Sequence, residues 1–363
     1  MTQPGTANIL DDAAAMARID SEDMLGRVAA LPGQVAEGWR ISRGLELPWA
    51  RPSSVAVLGM GGSAIGGDLV KGIWTDRITV PVEVLRGYEL PAWIGPETLV
   101  IASSKSGQTE ETLRQLETAL ARRCPVVCVT SGGVLGNVAR AAGLPLAVIP
   151  AGGAPRASIG WSMGIVAGIL ERAGVLTLEA PEIDAGVASG MATGARCAAS
   201  VPTTENPAKQ LAWSLVDRFV MVGGSGFLAP VARRWKSQLN ENGKATAIFE
   251  ELPEATHNTV VGFEQPESLR DHLAIVLLGS TLDHPRDTLR AQLVGDLLET
   301  GHIWHTFVEV EGEGPLGHAL SAMLMGDYVS VYLAFMYAID PTPADVISYI
   351  KEQLALADQA DAE

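Results

Sequence analysis

Basic side chains are in short supply in this sequence: 26 Lys and Arg stand against 42 Asp and Glu, a formal net charge of −16 at pH 7. That deficit disfavours non-specific binding to nucleic acid or to an anionic membrane. A local ring of backbone N–H groups and hydroxyls can still gather one anion against a distributed surface charge. Cysteine is scarce too, and three cysteines make no disulfide framework. On one strand, Cys124 and Cys128 would have Cα atoms about 13 Å apart, too far to bridge. No Cys-x-x-Cys or His-Glu-x-x-His spacing occurs, so no metal site is expected. Nothing approaches the ~18 uncharged apolar residues needed to span a bilayer. The N-terminal MTQPGTANILDDAAAMARID carries acids where a signal peptide has a basic stretch and an apolar core, which points to a cytoplasmic protein. Aromatics are only 5% of residues while 39 are Gly, as suits helices packed closely on parallel sheets.

What is present is a regular alternation. Apolar strand-like runs at 55–58, 82–85, 99–102, 126–130 and 146–149 are separated by amphipathic stretches, notably 110–122 and 160–172. Strands alternating with helices predict an α/β fold with a doubly wound parallel sheet. After a stretch at 179–200 rich in Gly, Ala and acid, a second cycle follows, with strands at 218–222, 246–249, 273–278 and 306–310. Helices are predicted at 286–300 and 318–338. Thr342-Pro343-Ala344-Asp345 looks like an N-cap followed by Pro at the first helical position, ahead of an apolar stripe of Val346, Ile347, Ile350 and Leu354. The plan VAVLGMGGSAIGGDLV is echoed by RFVMVGGSGFLAPVARRW. Two lobes are expected, 1–178 with a helical lead-in before Ser54, and 179–363.

Two turns suit an anion. Gly59-Met60-Gly61-Gly62-Ser63-Ala64 follows a strand and opens a helix, where glycines allow close backbone approach and free N–H groups attract negative charge. It also matches a dinucleotide fingerprint, but a ribose-binding acid is missing from the end of the next strand, which closes with Arg86-Gly87 and holds Glu83 within it. Arg86 keeps an NADP-dependent oxidoreductase open as an alternative. The second turn, Ser103-Ser104-Lys105-Ser106-Gly107-Gln108-Thr109, puts several hydroxyls at the start of another helix. N-capping alone would account for one or two of them.

With these blocks in view the chain resembles the sugar isomerase (SIS) domain family, specifically its bifunctional phosphoglucose/phosphomannose isomerase branch. The resemblance rests on GMGGSAIGGD, SKSGQTEET, APRASIG, SQLNENGKATAIFEELPEATHN and DPTPADVISYIKEQL, in order over most of the chain. It implies two SIS-type lobes and a homodimer with the substrate between lobes. The reaction it implies is metal-free and cofactor-free interconversion of glucose 6-phosphate or mannose 6-phosphate with fructose 6-phosphate. Carried over, Gly62, Ser63, Ser104, Ser106 and Thr109 hold the phosphate. Glu241 is the base, Arg156 steadies the enediolate, and His257, supplied by the partner subunit, assists ring opening. Lys351 corresponds to a C-terminal site lysine and Thr342 to a residue leaving room for either C2 epimer. Lys105 and Gln108 depart from the family pattern, and Lys105 is expected to add a cation beside the phosphate site.

Local chemistry bears on each assignment. A carboxylate shuttling a proton between C1 and C2 needs reach and a pKa near neutrality. Glu241 is expected at a helix C-terminus, whose negative dipole end favours that. A solvated surface Glu in the Asn-Glu-Asn-Gly-Lys stretch is the plain alternative. His257 sits in a polar loop, where histidines are usually just exposed, and Lys351 beside an apolar stripe is an ordinary snorkelling position. Arg156 lies in a Gly/Pro-rich loop after the fifth strand, at a sheet's ligand-binding end. The remaining histidines show no paired spacing. Two further alternatives are weighed: a sugar-phosphate sensor would keep the hydroxyl turn without needing Glu241, and a ketose-amine isomerase would share fold and turns but is expected with an amidotransferase domain and an N-terminal cysteine nucleophile, which this sequence does not show.

Overall fold

The computed structural model describes residues 8–47 and 51–360. The first seven residues of the N-terminal segment and residues 48–50 of the helical lead-in lie outside it. Two parallel sheets organise the chain. In the first, β1 (Ser54–Leu58), β2 (Val82–Leu85), β3 (Thr98–Ser103), β4 (Val126–Thr130) and β5 (Leu146–Val148) take the order β2-β1-β3-β4-β5. In the second, β6 (Phe219–Ser225), β7 (Ala247–Leu252), β8 (Leu273–Ser280) and β9 (Trp304–Val310) take the order β7-β6-β8-β9. The expected α/β class and the two parallel sheets are therefore present, one on each side of residue 178.

The inner strands β1, β3, β4, β6 and β8 are buried on both faces, because helices cover both faces of a parallel sheet, whereas the edge strands β2, β5, β7 and β9 keep exposed positions. The two faces feed different cores. Val55 and Val57 of β1 point to a large cluster that also holds Val220 and Val222 of β6, whereas Ala56 and Leu58 point to a smaller outer cluster with Leu116 and Leu135. A third cluster, with Met221, Ile275 and Leu298, covers the outer face of the second sheet. The inner cores of the two lobes are thus one continuous apolar body.

Helix Gly314–Met336 runs through that body. It is long and apolar enough to cross a membrane by length and composition, but 94% of its apolar window is buried inside the protein. Asp327 interrupts its apolar run. The stretch at 179–200 is the helix Ala180–Cys197, packed on Gly314–Met336. In the lead-in, helix Leu31–Arg43 lies against helix Ile159–Arg172 along a seam of Gly160, Gly164 and Gly168. A Cβ on Gly164 would sit 2.1 Å from the Val35 carbonyl oxygen, so only glycine permits this approach.

Two boundaries move, and a third falls where it was expected. β6 continues through Gly223-Gly224-Ser225, where the glycines keep pairing with β7 instead of turning. Helix Ala229–Glu241 carries Glu241 as its last residue. The C-terminal helix spans Asp345–Ala360, so Thr342 is not its N-cap and Pro343 is not its first residue. The Thr342 N–H is held by Asp340 Oδ1 at 2.9 Å and its carbonyl is taken by Arg156, which keeps this segment out of the helix.

Candidate active site

β1 is flanked by β2 on one side and β3 on the other, so the crevice beyond its carboxyl end lies at a topological switch point. The glycine-rich and the hydroxyl-rich turns leave β1 and β3 there. Helices Gly61–Ile73 and Ala229–Glu241 cross the lobe interface in opposite directions. Gly72 approaches Pro230 at one end, while Gly61 and Gly62 line a cleft with Glu241 at the other. The positive end of one helix dipole therefore meets the negative end of the other. That cleft, of about 110 Å³, is also lined by Arg86, Arg156, Arg233, Arg234 and Gln238.

Arg156 sits in a short 3-10 turn, Pro155–Ser158, and is 5% exposed. Its Nε donates to Asn242 Oδ1 at 2.5 Å, and its Nη2 donates to the carbonyls of Pro341 and Thr342, each at 2.7 Å. Nη1 faces Glu241 Oε2 at 3.4 Å and keeps a hydrogen for the cleft. Burial pushes the guanidinium pKa down and the Glu241 charge opposes that shift. The Glu241 carboxylate is 30% exposed, so it faces the cleft as well as Arg156. The Thr342 hydroxyl is buried with no protein partner, beside the carbonyl that Arg156 grips.

In the hydroxyl-rich turn, Ser104 Oγ meets Thr109 Oγ1 at 2.8 Å and accepts from Gly107 N–H at 3.1 Å. Ser106 Oγ accepts from Gln108 N–H at 3.2 Å and is exposed. Thr109 occupies the N-cap of helix Glu110–Ala121 without capping it, because its hydroxyl is turned to Ser104. The first N–H groups of that helix are left for an anion. Ser63 Oγ lies 3.4 Å from the Lys105 N–H, which joins the two turns. Lys105 differs from expectation: its ammonium does not stand beside the turn as a free cation. It is buried and points to the carbonyls of Gly152 and Gly153 and to Ser158 Oγ. Gln108, the other departure, is exposed.

Of the assigned residues, Gly62, Arg156 and Glu241 line this cleft; Ser63, Ser104, Ser106, Thr109 and Thr342 are not among its lining residues, nor, within one chain, are His257 and Lys351. His257 is exposed at the end of a short 3-10 turn, Glu254–His257, and Lys351 is exposed on the C-terminal helix. Of the other histidines, His318 is buried and bonds Ser280 Oγ through Nδ1 at 2.8 Å.

Sequence reasoning missed the support under Arg156. Arg234 donates to Asp327 Oδ2 at 2.5 Å and to the Arg156 carbonyl at 3.2 Å, and Gln238 donates to Asp327 Oδ1 at 2.9 Å. The signal was available: Arg234, Gln238 and Glu241 share one helical face, and Asp327 is the lone acid in an apolar helix. Arg86 and Arg233 at the cleft both pair with Asp68. Lys244 Nζ bonds the carbonyls of Glu241 and Pro341. Among the described residues no cluster of His, Cys, Asp and Glu has metal-binding geometry.

Comparison with known proteins bears on this arrangement. Residues 204–354 match the family described as the bacterial phospho-glucose isomerase C-terminal SIS domain. The chain is 35% identical to a bifunctional phosphoglucose/phosphomannose isomerase from Caldicellulosiruptor bescii over 335 residues, 92% of this chain and 99% of that one. It is 32% identical to the Aquifex aeolicus protein of the same name over 302 residues, 83% of this chain and 90% of that one. Among solved structures, a glucose-6-phosphate isomerase like protein from Thermus thermophilus superposes with a TM-score of 0.64 at 20% identity, covering 92% of this chain and 98% of that one. A hypothetical protein from the same organism reaches 0.75 at 18% identity, with 96% and 95% covered. Those two likenesses concern the fold. The sequence relationship over nearly the full length of both chains makes this protein a member of the bifunctional phosphoglucose/phosphomannose isomerase family.

Proposed function

We propose that the protein interconverts glucose 6-phosphate and mannose 6-phosphate with fructose 6-phosphate by proton transfer through a cis-enediolate. One observation carries this: the Glu241 carboxylate of the second lobe lies 3.4 Å from the Arg156 guanidinium of the first, and both line a cleft with the first lobe's Gly61-Gly62 turn. The turns at 61–63 and 104–109 hold the phosphate through Gly62, Ser63, Ser104, Ser106 and Thr109. Glu241 removes the proton from one of C1 and C2 and returns it to the other. Arg156 meets the developing oxyanion with the Nη1 hydrogen that its structural bonds leave over. Thr342 offers its unpartnered hydroxyl near C2.

His257 completes the site from a second copy and opens the sugar ring, and Lys351 approaches it on the C-terminal helix. Two exposed apolar rows support a homodimer. Leu289, Leu293 and Leu297 form one on helix Pro285–Thr300, whose Arg290 bonds Thr256 beside His257 at 3.0 Å. Val346, Ile350 and Leu354 form the other on the C-terminal helix. A cytoplasmic location accords with a substrate whose phosphate charge keeps it inside the cell.

Purified protein given fructose 6-phosphate should form both aldose 6-phosphates, resolved by NMR. Binding of fructose 6-phosphate without any turnover would instead make the protein a sugar-phosphate sensor.

A further inference from the structure

Lys105 sits in the middle of the hydroxyl-rich turn, yet its side chain turns away from the space the turn encloses. Its ammonium has three hydrogens, and the protein supplies three acceptors: Gly152 O at 2.5 Å, Gly153 O at 2.9 Å and Ser158 Oγ. Gly152 and Gly153 both have positive φ, +85° and +69°, a backbone conformation that favours glycine at both positions. Ser158 in turn donates to Ala154 O at 3.3 Å. These acceptors bracket Arg156. The Lys105 main chain ties in the other direction, with its N–H toward Ser63 Oγ and its carbonyl accepting from Ser131 N–H and Oγ at 3.0 and 2.6 Å.

We propose that Lys105 is a positioning residue that locks the anion-binding turns to the loop carrying Arg156, so that the phosphate grip and the oxyanion-stabilising guanidinium are set by one rigid unit. This deepens the isomerase reading and rests on it for its kinetic consequences. A phosphate ligand would need a free ammonium hydrogen and exposure to the pocket; Lys105 is 7% exposed and its donors are committed. Losing the ammonium leaves two carbonyls and a hydroxyl buried without their donor. The loop then relaxes, and Arg156 leaves its register with Glu241 while the hydroxyls at 104–109 keep their own mutual bonds.

The lock is also sensitive to pH. Burial, with the Arg27 guanidinium adding to it, brings the Lys105 pKa down to about 8. Arg27 is itself paired with Glu22 at 3.4 Å, and the glycine loop, the Ser63 turn and the turn at Ser131 present neutral groups to Lys105. Below that pH all three hydrogens are present; above it one bond is lost, so turnover should decline as pH rises through about 8.

The test compares wild type, K105M and K105R in fructose 6-phosphate turnover from pH 6.5 to 9.5, with inorganic phosphate as a competitive inhibitor. K105M should lower kcat at pH 7 by about tenfold or more while the phosphate inhibition constant changes less than about threefold, the split expected of a group acting on the transition state through another residue. The alkaline decline should vanish in K105M, and K105R, which keeps donors at every pH tested, should recover part of kcat and shift the decline upward. Amide hydrogen exchange across 154–160 should accelerate in K105M, with 104–109 unchanged. A large rise in the phosphate constant with kcat intact would make Lys105 a phosphate ligand and overturn the proposal. Unchanged kcat, pH profile and exchange, with only a lower melting temperature, would also overturn it. If wild type turns over no sugar phosphate, the isomerase reading fails, and the exchange pattern alone decides the lock. If K105M does not fold, a wild-type decline in kcat above pH 8 with a flat phosphate constant supports the lock, and parallel changes in both refute it.

Discussion

Asp327 offers a quantitative check on how the core supports the site. Its carboxylate is wholly buried in helix Gly314–Met336 and accepts from Arg234 at 2.5 Å and Gln238 at 2.9 Å. Burial pushes its pKa up, and both donors pull it back toward the charged form. Asp327→Asn keeps the shape but strips the Arg234 guanidinium of its counter-charge in a low-dielectric interior. Breaking one side of such a pair costs about 3–5 kcal/mol. Removing both charges with Arg234→Met/Asp327→Leu should cost far less, since no uncompensated ion remains. Turnover should fall in the double variant even so, because Arg234 also holds the Arg156 carbonyl at 3.2 Å. Urea unfolding followed by circular dichroism measures this, with an unchanged slope confirming that the native state alone is perturbed. A single-variant loss below about 1 kcal/mol, or a double-variant loss equal to the sum of the singles, would refute the reasoning.

Other outcomes follow from the same coordinates. Gly164→Ala should destabilise by about 1–3 kcal/mol through overpacking, because its Cβ would meet the Val35 carbonyl at 2.1 Å. Gly33→Ala, with nothing within 4 Å of the new methyl, should leave stability equal or better in the same urea titration. Ser106→Ala should weaken inorganic phosphate binding by about three- to tenfold in calorimetry, the loss of one hydrogen bond, with little effect on the melting temperature. Lys105 holds fewer protons folded than unfolded between pH 8 and 10.5, so its contribution to stability should rise across that window while turnover falls. Wild type minus K105M urea midpoints, taken at several pH values, give the sign.

Strands were legible because parallel-sheet strands bury both faces and read as short apolar runs, as β1 and β4 do. Glu241 at a helix end was legible from Gly243 as a stop signal. Side-chain direction was not. Lys105 lies between two serines of a hydroxyl-rich turn, and only the fold shows that carbonyls 47 and 48 residues away capture it. The start of the last helix was misplaced for a similar reason: Thr342 has N-cap chemistry, but Arg156, 186 residues earlier, takes its carbonyl. The Arg234–Asp327 pair, 93 residues apart, left only indirect signs. Local pattern fixes elements, while long-range polar bonds decide which of their side chains remain free for chemistry.

The account depends most on Glu241 as the group that carries the proton. Fructose 6-phosphate incubated with the protein in deuterated water should acquire deuterium at C2 of the aldose product, because a carboxyl proton exchanges with solvent between removal and return. Glu241→Gln should slow that labelling by about 10²–10⁴-fold, the range for loss of a general base. Labelling at an undiminished rate in the Gln variant would contradict the central claim.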